Sequence, residues 1–508
     1  MSSYSEINPI ETPIPAKRQA AKRHYGVHPY FTRRPYNVVR EYILHYSHEG
    51  DRVLDPFGGS GVTAIEAFLE NRVGIQNDIN PLANFIAKGI ADLEHGDIKA
   101  YSSALTTIQA RCEEKLEELE ATSEQGVSRW LKTSKLPPNI ALPSNSDVEC
   151  YHDLFLPKQL AALALLKESV DSINDKYARK AMLLAWSATL TKLNKTFLST
   201  EGRLESRGGS SIFSIYRFKV AKRPISLPAW KTFQERALNV IEAKQEIDKA
   251  INLKRLTRGW KGRFEIHSKD IEELKDELGG HVDYIFTDPP YGGHISYLDL
   301  STLWNAWLNK MPTRHSRELE LIVGGEMNLD ETAYTERLSR SIRACAKMLK
   351  PKRWMSIVFQ HWKTSYFEAI LRGAAESGLE LRAAISQVGD PIWSMHKKKG
   401  SESVLAGELI LTFFRSGQLK VFDERKPFDP RQTVTKILDG TKAGTIYGEF
   451  LFNRVVIEAW QRGAIDALNI SKTEFVDLIK EHGWHYDKDK HYWVRDNTSS
   501  DLPFPPPA

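Results

Sequence analysis

Apolar residues change their spacing along the 508-residue chain, and the changes divide it into elements. Tyr36–Tyr46 has the three-and-four spacing of a helix with one buried face, and Arg52–Leu54 reads as a short buried strand. A Gly-rich turn follows, then a helix over Val62–Leu69, a strand over Arg72–Gln76 and a helix over Pro81–Gly89. Strand, turn, helix and strand in that order open a doubly wound parallel sheet. Ala104–Ala121, Leu156–Ile173 and Ala178–Leu193 then carry helical periods. The α/β alternation returns with strands at Arg263–Ile266 and Tyr284–Thr287, a helix at Arg340–Leu349, and strands at Trp354–Phe359 and Glu408–Phe414. Residues 445–495 read as helical and then aromatic, with Trp484, Tyr486, Tyr492 and Trp493.

The length exceeds what one hydrophobic core ordinarily serves. The pattern predicts a flexible N-terminal arm (1–23), a first α/β part (24–95), a helical insertion (96–262), a second α/β part (263–430) and a C-terminal helical and aromatic module with a tail (431–508). Hydrophobic residues make up 41% and charged residues 27%, as in globular proteins. No apolar run approaches the ~20 residues of a membrane helix. Met1–Lys17 lacks the apolar core of a secretory signal. Cys112, Cys150 and Cys345 are too few for a four-cysteine zinc site and suggest no disulfide framework, so a cytoplasmic location is expected.

Charge is unevenly spread. Glu201–Arg263 holds fifteen Lys and Arg against six Asp and Glu, a local excess of +9 in a chain whose net charge is +5. That asymmetry suits a face that binds a polyanion, although a solvated helical surface has the same composition. A Gly- and Ser-rich loop, Gly202–Ser211, and the aromatic-basic stretch Phe213–Lys219 lie within this segment.

Two motifs carry candidate chemistry. Asp55-Pro56-Phe57-Gly58-Gly59-Ser60-Gly61 stands between the first strand and its helix, where glycines let backbone approach a ligand. Asp78, followed by Ile79, stands at the tip of the second strand, placed to accept hydrogen bonds from ribose hydroxyls. The glycine spacing is neither that of a dinucleotide fingerprint nor that of a P-loop. The second motif, Asp288-Pro289-Pro290-Tyr291, ends a buried strand in two prolines that force the chain out of the sheet. An exocyclic base amine is a poor nucleophile because its lone pair is delocalised into the ring. A carboxylate at Asp288 and a fixed carbonyl at Pro289 are two acceptors that favour a pyramidal nitrogen and its growing positive charge. Tyr291 offers a flat face to a base flipped from a duplex. This chemistry calls for no metal.

These motifs resemble the amino-methyltransferases of DNA, which modify adenine N6 or cytosine N4. The longer run from Asp288 to Trp304 is similar to a branch of adenine-specific methylases with a helical insertion before the Asp-Pro-Pro-Tyr loop. The resemblance covers about 24–95 and 263–415. It implies a Rossmann-like seven-stranded class I methyltransferase sheet, S-adenosyl-L-methionine as cofactor, duplex DNA with a flipped base as substrate, and a prokaryotic, nucleoid-associated setting. It implies that His28 and Pro29 line the methionine end of the cofactor and that Asp270 contacts its adenine. Met348-Leu-Lys-Pro351 looks like the family's Leu-Lys-Pro turn. The insertion is then a target-recognition domain, with Arg203, Arg207, Arg217, Lys219, Lys222 and Arg223 against DNA and His294 and Tyr297 near the substrate. The same stretch of Tyr297 and Trp304 also has helical spacing suited to core packing. A restriction or defence partner is compatible with such an enzyme; the chain shows no recognisable nuclease motif.

Adenine N6 is the expected target, because Asp in the first catalytic position leans toward adenine where Ser leans toward cytosine N4. Three alternatives stand beside it: a cytosine-N4 enzyme, a tRNA guanine-N2 methyltransferase, which shares an Asp-Pro-Pro-Tyr-Gly motif, and an inactive methylase fold that only binds nucleic acid.

Overall fold

The computed structural model describes residues 3–10, 12–17, 23–198, 209–253, 263–293, 295–361, 363–387, 408–419, 431–432, 435–436, 445–446, 460, 472–487 and 492–495. They contain a seven-stranded, mostly parallel sheet, with helices between the strands. The fold is of the α/β class, with the Rossmann-like seven-stranded sheet that was expected. By contacts the chain divides into two units, a larger one of Lys17–Leu274 and Gly292–Asp330 and a smaller one of Met1–Ala16, Lys275–Tyr291 and Glu331–Ala508.

The larger unit starts with a single turn α1 (Arg23–Gly26) and α2 (Tyr36–Tyr46), then β1 (Arg52–Asp55), α3 (Val62–Leu69), β2 (Val73–Asn77) and α4 (Pro81–Asp92). α3 is buried along its whole length. α4 begins at the place its sequence dictates: Asn80 accepts from the Leu82 amide at 3.1 Å, and Pro81, which has no amide to leave unpaired, takes the first helical position. The helices α5 (Ile98–Ala121), α6 (Glu124–Thr133), α7 (Pro157–Asp171), α8 (Lys176–Thr189) and α9 (Ala229–Leu253) follow, interrupted by the two-residue strands β3 (Phe197–Leu198) and β4 (Gly209–Ser210). β5 (Phe264–His267) then pairs parallel with β2, which pairs parallel with β1. The later part of this unit holds α11 (Tyr297–Leu300), α12 (Thr302–Asn305) and α13 (Arg314–Leu319). α10 (Ile271–Leu278) runs across the boundary between the units.

Helical insertion and sheet share one core in this unit. Trp186 of α8 is fully buried and donates to the Leu163 carbonyl of α7 at 3.0 Å; Trp304 of α12 is equally buried and donates to the Ser187 carbonyl at 3.1 Å. Trp304 is thus a core residue, the use its helical spacing suggested.

The smaller unit carries β6 (Val282–Thr287), α14 (Glu331–Met348), β7 (Leu349–Phe359), α15 (Thr364–Ala375), β8 (Leu379–Gln387) and β9 (Glu408–Arg415), with strand order β6-β7-β9-β8. β6 and β7 are parallel; β9 runs antiparallel to both β7 and β8. Every residue of β6 is buried, as expected of a parallel strand covered on both faces. Its one acid, Asp283, is compensated by Lys350 at 2.8 Å and Arg353 at 3.3 Å.

Two sequence expectations differ from the structure here. α14 starts at Glu331, a full nine residues before the helix expected at Arg340, because Glu331–Ser339 continues the same buried face through Tyr334 and Leu338. The Leu-Lys-Pro segment is no separate turn: β7 begins at Leu349, directly after α14, and Lys352 takes a positive φ of 58° within the strand. The C-terminal aromatics lie on strands, β11 (Trp484–Asp487) between α16 (Lys472–Glu481) and β12 (Tyr492–Arg495), and β12 also pairs with β10 (Thr445–Ile446). In the segment read as a flexible arm, Tyr4 accepts from Trp354 Nε1 at 2.8 Å and lies under the Arg353 guanidinium, and the Ile14 amide donates to Gln387.

Candidate functional site

The glycine turn of the larger unit is built by the strand ends beneath it. At the end of β1 the Asp55 carboxylate turns back on its own loop, accepting from the Phe57 amide at 3.1 Å and the Thr63 hydroxyl at 2.8 Å. The Gly58 amide donates to the Asn77 carbonyl at 2.9 Å, so the turn is sewn to the end of β2. Gly59 and Gly61 have φ of 50° and 90°, a region that residues with a Cβ adopt rarely. A Cβ on Gly61 would lie 2.6 Å from that of Ala87, so α3 can start at this position only without a side chain.

Asp78 closes the turn from the far side. One oxygen accepts from the Gly59 amide at 2.9 Å and the other from the Asn80 amide at 2.7 Å. Burial raises its pKa to about 6, against the pull of those two amides. Ile79 is half-buried beside it. Asn77 reaches both the Pro56 carbonyl at 3.0 Å and the Lys269 carbonyl at 3.1 Å, tying the turn to the segment after β5. Asp270 in that segment caps α10, accepting from the Glu272 amide at 2.8 Å.

The His28 ring is fully buried and engaged at both nitrogens. Nδ1 donates to the Pro29 carbonyl at 2.7 Å, which leaves Nε2 to accept from the Ser187 hydroxyl at 2.9 Å. Burial lowers its pKa to about 3, so the ring is neutral. Arg33, which sequence reasoning passed over, donates to Ser60 Oγ at 2.8 Å and to the carbonyls of Tyr25 and His28. Gln76 was also missed; its Nε2 holds the Gly59 carbonyl at 3.0 Å, while its buried Oε1 has no hydrogen-bond partner among the described residues.

Aromatic rings gather next to this turn. Phe31 meets Tyr30, Phe213 and Tyr297 with centroids 5.2, 5.5 and 5.5 Å away, and Phe213 meets Trp304 at 5.9 Å. Tyr297 and Phe31 are therefore perpendicular, and the aromatic stretch of the insertion enters the same cluster through Phe213. Two further carboxyls are buried close by. Glu320 accepts from the Leu298 amide at 3.0 Å, and burial, with the Asp299 and Asp78 charges adding to it, raises its pKa to about 8. Asp299 is paired with Arg317.

The Asp-Pro-Pro-Tyr loop belongs to the smaller unit. β6 ends at Thr287, and the loop is braced by two phenols: Tyr291 donates to Asp288 Oδ1, and the buried Tyr334 of α14 donates to the Pro290 carbonyl. Tyr291 stands edge-on to Phe359 at the end of β7, with centroids 5.2 Å apart. Pro289 is buried. Tyr334 packs on Tyr366, 4.6 Å between centroids, and Tyr366 on His361.

Residues 8–88 match the family of DNA methylases. The matched stretch holds His28, Arg33, the whole glycine turn and Asp78, and ends before Asp270 and Asp288. The match covers 81 of the 508 residues and is to DNA methylases in general. No curated protein matches the chain. Among solved structures, one titled "Structure of an Antibiotic Related Methyltransferase" is similar at 14% identity, over 34% of this chain and 70% of that one, with a TM-score of 0.17.

Four of the expected DNA-contacting residues are described, all between 217 and 223. Arg217 is held by Asp147, while Lys219, Lys222 and Arg223 are exposed. Arg203, Arg207 and His294 lie outside the described residues. A cavity of about 600 Å³ among α5, α6 and α7 is lined by Lys115, Arg129, Trp130 and Lys167 together with Glu118 and Glu168, and none of the glycine-turn residues line it. Among the described residues no helix is long and apolar enough to cross a membrane, and no cluster of His, Cys, Asp and Glu could hold a metal ion.

Proposed function

We propose that this chain transfers the methyl group of S-adenosyl-L-methionine to the exocyclic amino group of a base in DNA, adenine N6 in the first place. The observation that carries the reading is the acceptor loop at the end of β6: a carboxylate, Asp288, followed by two prolines, the second of which has its carbonyl held by the Tyr334 hydroxyl.

The glycine turn fits the cofactor on three counts. Its backbone conformation at Gly59 and Gly61 keeps side chains out of the turn. Asp78 offers carboxylate lone pairs at the strand tip, where ribose hydroxyls would donate. Gln76 Oε1 is a buried acceptor still lacking a donor among the described residues. His28 and Pro29 border the same turn through Arg33, and Asp270 sits one residue after Lys269, which Asn77 ties to it. When bound, the cofactor supplies a methyl group already activated by its sulfonium.

The residues of the chain do the rest. Asp288 Oδ1 accepts an N–H of the target amine once Tyr291 gives up that bond, and the Pro289 carbonyl accepts the second N–H. Held by these two acceptors, the nitrogen would present its lone pair to the donor's methyl group, and Asp288 and solvent would take the proton released from the product amine. Tyr291 gives a face to the flipped base. Lys219, Lys222 and Arg223 bind phosphates of the DNA backbone, and Arg203, Arg207, His294 and Tyr297 are proposed contacts on the substrate side.

Base-modification sequencing of DNA from cells expressing the chain, against Asp288→Ala, tests the reading. N6-methyladenine at a defined sequence, absent with the variant, is expected. N4-methylcytosine would reassign the base, and tritium transfer from the cofactor to tRNA but not DNA would overturn the substrate.

A further inference from the structure

One cation beside the glycine turn is bound only by neutral groups. Arg33 uses Nε on the Ser60 hydroxyl, one terminal nitrogen on the Tyr25 carbonyl at 2.6 Å and the other on the His28 carbonyl. A guanidinium has five N–H groups, so two are left for a further acceptor. No Asp or Glu among the described residues pairs with it, and burial lowers its pKa to about 10. Arg40, Arg52 and Arg317 of the larger unit each face a carboxylate, Glu70, Glu265 and Asp299, while the buried Arg72 donates to the Ser47 hydroxyl and to the Ser47 and Glu70 carbonyls. Arg33 is half-buried, and a partly desolvated cation without a counter-charge is costly unless an anion completes its surroundings.

S-adenosylmethionine has one anionic group, the carboxylate at its amino-acid end; the adenine and ribose are neutral, and the amine and sulfonium are cationic. His28 cannot serve that carboxylate as a cation, since its ring is neutral and spent on Pro29 and Ser187. We propose that Arg33, fixed by Ser60 and by the Tyr25 and His28 carbonyls, is the counter-ion of the cofactor carboxylate and selects ligands that carry the amino-acid end over those that lack the carboxylate. The proposal rests on the glycine turn being the cofactor site.

Calorimetric titration of the full chain with S-adenosylmethionine and with decarboxylated S-adenosylmethionine separates the two claims. The wild type is expected to bind the carboxylate-bearing ligand at least about tenfold more tightly, the scale of a charge-assisted pair. Arg33→Met should bring that ratio close to one by weakening only the first ligand, and Arg33→Lys should keep part of it. Because each ratio is taken within one variant, a general loss of fold cancels, and melting curves monitor it independently. An equal loss for both ligands in Arg33→Met would make Arg33 a structural clamp and overturn the proposal. A wild type that binds both ligands alike would overturn it while leaving the cofactor site in place; a wild type that binds neither would remove the cofactor reading itself.

Discussion

The glycine turn and the Asp-Pro-Pro-Tyr loop both end a strand, yet they are held in opposite ways. The turn between β1 and α3 is flexible in composition and is immobilised from outside. Asp55, Gln76, Asn77, Asp78 and Arg33 each send a side chain to it, and all but Asp55 come from other elements. The loop after β6 is stiff in its own covalent structure, and two phenol hydroxyls complete it. A ligand that needs close backbone contact requires glycine, and glycine then needs a network to choose one conformation. An acceptor pair that must keep a fixed spacing gains that directly from proline.

The largest effect should come from the loop. Asp288→Ala is expected to abolish methyl transfer, by about a thousandfold or more, while cofactor affinity by calorimetry changes little. Retained transfer would remove Asp288 from the chemistry. Gly61→Ala attacks the other side of the comparison. It combines a φ of 90° with a Cβ placed 2.6 Å from Ala87, so a loss of about 2–3 kcal/mol in unfolding free energy is expected, along with weaker cofactor binding. Denaturant unfolding measures the first and calorimetry the second; an unchanged midpoint would mean that the turn tolerates a side chain.

The same contrast explains what could be read from the sequence. Both motifs are contiguous, so their residue types and their position after an apolar strand were visible without a fold. So was the sheet class, because β6 is a continuous buried run and β1 and β2 flank a helix. The network around the turn was not visible. Asn77 and Lys269 are 192 positions apart, and Arg33 resembles its neighbour Arg34 until the fold places one of them against Ser60. Tyr334 lies in a helix whose first two turns the apolar pattern did not mark, 44 residues from the carbonyl it holds. Asp270 shows a different difficulty: an acid at the start of a helix serves as a cap and suits a ligand contact equally, and only the cap is seen. The aromatic segments that form β11 and β12 carry no clear strand signal in the sequence, because four-residue runs hold too few periods to show one.

Electrostatics differ between the two regions as well. The larger unit keeps Asp78 and Glu320 in the same neighbourhood, with pKa values raised by burial to about 6 and about 8. Below pH 4.5 Glu320 is protonated whether the chain is folded or not and adds no pH dependence. From there up to about pH 8 the unfolded chain releases the proton and the folded one holds it, so stability falls as pH rises, by at most about 1.4 kcal/mol per unit for this group. Glu320→Gln keeps an oxygen for the Leu298 amide and removes the titration. The variant should therefore gain about 1–3 kcal/mol on the wild type at pH 8 relative to pH 5. Equal differences at the two pH values in urea unfolding would show that Glu320 titrates normally.

The smallest expected effect is the most discriminating for the loop. Tyr334→Phe removes one hydroxyl from the Pro290 carbonyl and leaves the ring packed on Tyr366. If the prolines alone hold the acceptors, the rate of transfer is unaffected. If Tyr334 positions the loop, kcat should fall about three- to tenfold, the scale of one hydrogen bond of about 1 kcal/mol, with cofactor affinity unchanged because the glycine turn has its own supports. A parallel loss of cofactor affinity would contradict that independence. The measurement also bears on Tyr291, whose hydroxyl donates to the Asp288 oxygen proposed to receive the amine. Tyr291→Phe keeps the ring and frees that oxygen, so its kcat should stay level or rise where Tyr334→Phe lowers it. Opposite signs from two tyrosine hydroxyls on one loop would separate the bond that shapes the acceptors from the bond that competes for them.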